Sequence, residues 1–528
     1  MVWGFALSGR CEKQQSCFEN QAWFVTRFLA LFTALIMISV GLAHASTAEK
    51  HLRVGWYPSH PYQYTHLQHG TESLTGLDIE LTREILKRAG YSTTFIPTSW
   101  AQVQRDLRDG KVDMALGAFE NPERSEYAYF SEAYRVETDS VFFQNGASIA
   151  HNAESFAHVV ENIAAADGHI GVLDGYSYGI DVDQTISGTH NDRVVAYDSI
   201  EKALQSLEHG QIDALLSDQV FVESALIRDG YGNKIDRHSM PVFSGDIHAM
   251  FSRATVSQET VDDFNIALRT VRNDGTHDSI IQSFVTPIRF GIALSGRWFT
   301  ALDILGTVAF AISGVLLARR EGYSIFGAFV LSALPGVGGG VVRDLLSGRE
   351  PIGIMQSPNG ILLVIGTVLA GYIIYFIFDR LPKSTNVPKA GQAVGRKSRF
   401  RRMMTMGNVI ETTDAIGLSA FTVTGVYVAV TMNSTPLLLW GPLLAMLTGA
   451  GGGIIRDVVR ADRNNPALKT SFYAEIPLFW GFILSGFFWL HGHQAETSDI
   501  FFAVVINVVG AFVMRMLIVM FGLKSPRF

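Results

Sequence analysis

The chain has 528 residues, 48% of them hydrophobic, and a formal net charge of −7. That length predicts more than one domain, and so mild a charge balance gives no hint of nucleic acid as a partner, so none is expected. The average conceals a split: residues 51–285 read as a soluble α/β protein, whereas 298–523 are a series of apolar segments rich in Gly, Phe, Ile and Val.

The N-terminus carries Arg27, the apolar run FLALFTALIMISVGL (28–42) and then Ala43-His44-Ala45. A basic flank, a short apolar core and an Ala-x-Ala site predict a signal peptide over residues 1–45. If it is retained instead, it forms an anchor with the same topology. Cys11 and Cys17 are the only cysteines and lie before the cut, so the mature chain is expected to have neither disulfides nor thiol chemistry.

Residues 46–285 form the predicted exported domain. LRVGWYPSHPYQY begins as a strand, and LTGLDIELTREILKRAGY has the apolar spacing of an amphipathic helix closed by Gly90. Strand, helix, strand and helix follow, which implies a mainly parallel sheet with ligands beyond the carboxyl ends of its strands.

The segments LTGLDIEL, LRDGKVDMALGAF, PERSEYAYFSEAY, IGVLDGYSYG, QIDALLSDQVFVESAL and ALRTVRNDGTHDSI together resemble the bacterial periplasmic solute-binding proteins of family 3. The resemblance covers residues 51–285. It implies two α/β lobes, one from 51–138 plus 240–285 and the other between them, closing on a polar amino acid. It places the ligand carboxylate on Arg124, whose planar guanidinium suits it. It places the ligand ammonium on Asp218, a hydroxyl on Ser177 and an apolar wall on Trp100. Gly117, Ala118 and Glu120 stand where relatives often carry Ser or Thr; Glu120 would either neutralise Arg124 or favour a basic ligand.

After a linker over 286–298, seven apolar windows predict seven transmembrane helices. Residues 299–381 form a first unit of three helices, 409–491 a second, and 499–523 a seventh helix. The segment 382–408 between the units is a basic loop. Other basic residues fall in the loops after the first and fifth windows, while TMNSTP and HGHQAETSD carry no Lys or Arg. This charge bias predicts a multi-pass inner-membrane protein with its N-terminal domain in the periplasm and its C-terminus in the cytoplasm. His491 and His493 read as exposed loop residues, and no metal or cofactor is expected.

The two units repeat one another. LDILGTVAFAISGV (302–315) matches TDAIGLSAFTVTGV (413–426), and GVGGGVVRD (336–344) matches GAGGGIIRD (449–457). Three helices per unit is an odd number, so the copies face opposite ways, as in inverted-repeat transporters. Glycine triplets 338–340 and 451–453 are expected to let each helix bend or unwind and expose backbone to a path, the bland alternative being close helix packing. The expected path residues are Gly338, Gly339, Gly340, Gly451, Gly452 and Gly453, with the charges Asp303, Arg343, Asp344, Asp414, Arg456 and Asp457. Because neighbouring helical residues point apart, Asp303 is expected to pair with Arg343, and Asp414 with Arg456.

These motifs, DxxGxxAFxxxG and GGGxxRD, resemble the bacterial trimeric intracellular cation channels, whose relatives are described as glycine transporter domains. That resemblance implies a homotrimer with one pore per subunit and a monovalent cation or glycine as the permeant. The combined expectation is an inner-membrane transport protein, not an enzyme, whose binding domain delivers solute or gates the pore. The alternative is a receptor whose membrane half signals or anchors.

Overall fold

The computed structural model describes residues 50–68, 71–147, 153–188, 191–232, 234–380, 406–460, 472–492 and 495–526. The expected signal peptide, nearly all of the basic loop and His493 lie outside them.

The N-terminal half is built on one curled sheet. Its main strands are β1 (Lys50–Trp56), β2 (Tyr91–Pro97), β3 (Met114–Ala118), β4 (Arg135–Gln144), β5 (Ile170–Leu173), β6 (Val194–Tyr197), β7 (Ala214–Asp218) and β8 (Phe243–Ser252). Their order is β2-β1-β3-β8-β4-β7-β5-β6. Strands β1, β2 and β3 pair in parallel, as do β5, β6 and β7. The two groups are joined through the antiparallel pair β4 and β8, in register Phe243↔Asp139 to Ile247↔Arg135. These two long strands carry the chain from one lobe to the other, so side chains between Arg135 and Asp139 lie at the hinge. The two-lobed α/β expectation describes this half. Helix α1 (Leu77–Arg88) buries Ile79, Leu81, Ile85 and Leu86 against the first lobe.

Four further helices position the site: α2 (Trp100–Arg108), α3 (Pro122–Ser125), α4 (Gln219–Arg228) and α5 (Thr276–Ser295). The expected linker at 286–298 is corrected here, because α5 continues helically to Ser295 and only Gly296 breaks the chain. The reason is burial on both sides. Val285 belongs to the core of the binding lobes, while Phe290, Ala293 and Leu294 belong to a core shared with Val426, Phe488 and Val504 of the membrane half. One helix is thus part of two cores.

The C-terminal half is helical: α6 (Arg297–Glu321), α7 (Ile325–Ala333), α8 (Gly339–Ser347), α9 (Asn359–Arg380), α10 (Met406–Thr431), α11 (Leu437–Met446), α12 (Gly452–Val459), α13 (Glu475–His491) and α14 (Thr497–Phe521). Helices α7 and α8 are joined by a π turn at Leu334–Gly338, and α11 and α12 by another at Leu447–Gly451. Counting each joined pair as one, six helices among the described residues are long and apolar enough to cross a membrane. Helix α13, with 17 residues, is shorter than these.

The motif glycines are explained by packing. A Cβ on Gly314 would stand 2.5 Å from the Ser332 backbone, and one on Gly425 2.4 Å from that of Ala445. In each unit, therefore, the first helix lies backbone to backbone on the second. A Cβ on Gly306 would press on Ala420, and one on Gly417 on the ring of Phe310, so the first helices of the two units also interlock. Small residues allow this close approach where no hydrophobic effect drives helices together.

Candidate functional site

Between the lobes, Arg124, Asp218, Ser177, Trp100 and Gly117 line one inner chamber of about 20 Å³. A larger outer cleft of about 680 Å³ shares Trp100, Tyr57 and Tyr176 with it. Arg124 sits on the single turn α3, whose N-cap Asn121 accepts a hydrogen bond from the Arg124 amide at 2.9 Å. Its guanidinium is buried, donates to the Phe119 carbonyl at 2.9 Å and stands 5.1 Å from the Trp100 ring. Burial lowers the Arg124 pKa from its ordinary value. Among the described residues, no carboxylate lies within ion-pair distance of it. Glu120 is exposed and approached by the Ser125 hydroxyl at 3.4 Å, so neither role expected for it is realised: it does not neutralise Arg124 and does not line the chamber.

Asp218 is the N-cap of α4, accepting from the Phe221 amide at 2.7 Å and from the Tyr62 hydroxyl at 2.7 Å. Ser177 lines the chamber, but its hydroxyl already donates to Asp183 at 2.6 Å. Gly117 has φ +79°, a conformation that glycine adopts without strain, and its amide donates to the Tyr134 hydroxyl at 2.9 Å. The lobes are closed on one another. Tyr62 reaches Asp218, the Trp100 indole donates to the Gly175 carbonyl at 2.9 Å, and His60 is hydrogen-bonded to Ser224.

The hinge supplies charges that the motifs did not reveal. Arg135 donates to Asp78 and to Glu137, each at 2.9 Å, and lies 3.8 Å from the Tyr62 ring centroid. Burial works against the charged Arg135, yet Asp78, Tyr62 and Glu137 together raise its pKa well above the ordinary value. Asp139 faces Asp218 directly across β4 and β7, and neither of its carboxylate oxygens has a hydrogen-bond partner. Burial, then Glu137 and Asp218, push its pKa well up. Burial and the neighbouring Asp218 raise Glu137 to about 7. The signal in the sequence was RVETD, in which charges alternate along an otherwise apolar strand and so share one face.

In the membrane half, Asp303, Gly340, Arg343 and Asp344 line a cavity of about 320 Å³. It opens near the first turns of α6, the end that joins α5. The expected Asp303–Arg343 pair is not formed. Arg343 turns instead to its neighbour Asp344 at 2.8 Å, and Asp344 also accepts from the Gly353 amide at 2.7 Å. Asp414 does pair with Arg456 at 3.3 Å, but Arg456 bonds its neighbour Asp457 as well at 3.0 Å. Adjacent Arg and Asp therefore do meet here. The long Arg side chain curls back along the helix, and burial excludes the water that would otherwise satisfy both groups.

Nor do the triplets unwind: Gly338, Gly339, Gly451 and Gly452 keep right-handed helical torsions beside the π turns. The two turns cross in contact. A Cβ on Gly339 would lie 2.6 Å from the Thr448 carbonyl oxygen, and one on Gly452 2.2 Å from that of Leu334. Gly453 is covered by the Tyr473 hydroxyl, whereas Gly340, its counterpart, is open toward the cavity. Among the described residues, a cavity thus reaches the first unit's triplet, while Tyr473 covers the second's.

Two α/β lobes on crossing strands, with a buried arginine and aspartate in their cleft, define a solute-binding domain, here continuous with a polytopic helical domain. Residues 52–287 match the family of bacterial extracellular solute-binding proteins, family 3, and residues 300–380 and 411–489 match the family described as Glycine transporter. UPF0126 membrane protein YvgT of Bacillus subtilis (strain 168) is 32% identical over 225 residues, covering 43% of this chain and 94% of its own length. UPF0126 inner membrane protein YadS of Escherichia coli (strain K12) is 29% identical over 228 residues, with the same coverage of 43% and 94%. A probable histidine-binding protein of Campylobacter jejuni is 20% identical over 271 residues, covering 49% of this chain and 98% of its own. The chain belongs to the UPF0126 membrane proteins through its helical half and carries a family 3 solute-binding domain in front of it.

Proposed function

We propose that the protein is a transport protein in which amino-acid binding between the lobes controls passage through the membrane half. In the chamber, Arg124 takes the ligand carboxylate and Asp218 the ammonium, with Trp100 as a wall; the site uses no cofactor and performs no chemistry on its ligand. The observation that carries the coupling is the shared helix α5. Asp218 caps α4, and Ile227 near the end of α4 meets Gly291 of α5, where a Cβ would stand 2.7 Å from Ile227 and 3.5 Å from the Tyr427 hydroxyl. The same helix is fastened to the membrane half. Gln282 donates to the Phe488 carbonyl, Thr286 to that of Gly492 at 3.0 Å and Arg289 to that of Ala495 at 2.9 Å. Lobe movement is thereby transmitted to the helices around the path.

The path starts in the cavity at Asp303 and Gly340 and is stopped at the contact of Gly339 with Gly452 and beneath Tyr473. The repeats are inverted, with the binding domain in the periplasm and the basic loop and C-terminus in the cytoplasm, in accord with the loop charges. Glycine or a monovalent cation is the permeant, and the assembly is a homotrimer. Reconstitution into proteoliposomes tests this, with uptake of labelled glycine and of potassium measured separately. Uptake of either supports transport and names the permeant; uptake of neither ends the reading.

A further inference from the structure

We propose that Arg135 is a built-in occupant of the side-chain end of the ligand cleft, restricting the ligand to a small zwitterion without a charged side chain, of the glycine or alanine class. This rests on the reading of the chamber as an amino-acid site.

A cationic side chain recognised in a dry cleft needs carboxylates and an aromatic face. Here Arg135 itself takes two carboxylates and one aromatic face. The Arg135 guanidinium has Asp78 and Glu137 at 2.9 Å and the Tyr62 ring at 3.8 Å, and the residue is 8% exposed. An arginine or lysine ligand would set a second cation against Arg135 where water cannot screen the two. Asp139 stands beside Asp218 on the neighbouring strand and does not line the chamber. An acidic ligand would instead meet Glu137 and Asp218.

What the wall leaves unanswered is one cation and one anion. Arg124 has only the Phe119 carbonyl, and Asp218 has hydrogen bonds but no ion-pair partner among the described residues. Those two groups suit the carboxylate and ammonium common to every amino acid. The closed chamber of about 20 Å³ holds little more than one water, so the lobes must part to admit any amino acid, and the choice among ligands rests on the charges of the wall.

The test is calorimetric binding to the full chain in lipid nanodiscs, with glycine, L-alanine, L-arginine and L-glutamate as probes. Glycine or alanine should bind on the order of 100-fold more tightly than either charged amino acid, since a buried like charge is strongly rejected. Arg135→Ala and Arg135→Gln, which vacate the subsite, should narrow that gap toward arginine in whichever variant folds. Tight arginine binding by the wild type, lost in Arg124→Ala, would overturn the role of Arg135 while leaving the chamber as the amino-acid site. Failure of all four probes would overturn both.

Discussion

At the scale of residues, Arg124 and Asp218 are buried without an ion-pair partner among the described residues. Arg124→Ala in the full chain should weaken amino-acid binding by about 2–5 kcal/mol, because the ligand carboxylate would be buried without its cation. Titration calorimetry checks this, and unchanged affinity would remove Arg124 from the site. Glu137 supplies a pH dependence. Free, it takes up a proton near pH 7, as burial and Asp218 raise it, with Arg135 opposing. An ammonium bound at Asp218 would favour the carboxylate, so binding should release a proton near neutral pH. Affinity should then fall as pH drops below about 7 and level off above it. Calorimetry in buffers of different ionisation enthalpy should show that release in the wild type and its loss in Glu137→Gln. That Arg124 and Asp218, the proposed ligand pair, line one chamber was legible because short motifs surround each. Arg135 was not, because a charge inside a hinge strand looks like surface until the crossing of β4 and β8 is known.

At the scale of elements, the triplets divide by position. Gly339 and Gly452 meet backbone carbonyls across the crossing, so even alanine overpacks there, at roughly 1–3 kcal/mol or more. Gly339→Leu and Gly452→Leu should therefore lower the yield of assembled protein. Gly340→Leu should assemble, since nothing beyond the Arg343 side chain lies near its Cβ position, yet reduce flux by filling the cavity. Size-exclusion yield and flux on the same samples separate these outcomes; full flux in assembled Gly340→Leu would place the path elsewhere. The repeat itself was readable from two matching motifs. Which glycine packs and which faces a cavity was not, since identical residues in GVGGGVVRD and GAGGGIIRD meet different neighbours: open space at Gly340 but Tyr473 at Gly453. The reading of 286–298 as a linker failed for a related reason. Pro287, Gly291 and Gly296 look like breakers, yet packing on both sides keeps Thr276–Ser295 helical.

At the scale of the whole molecule, one helix belongs to two cores, and ligand control of transport depends on it. Gly291→Leu would wedge Ile227 away from α5 and should leave amino-acid binding within about threefold of wild type, as Ile227 stands about 14 Å along α4 from Asp218. It should nevertheless break the dependence of flux on ligand, while flux that still follows ligand would dismiss this contact as the coupling. The most direct measurement is flux through proteoliposomes with the binding domain facing outward, recorded as amino acid is added outside, for wild type beside assembled Arg124→Ala. The expected result is wild-type flux that changes over the concentration range in which ligand binds, and Arg124→Ala flux that does not respond there. Identical, ligand-independent flux in the two proteins would contradict the account.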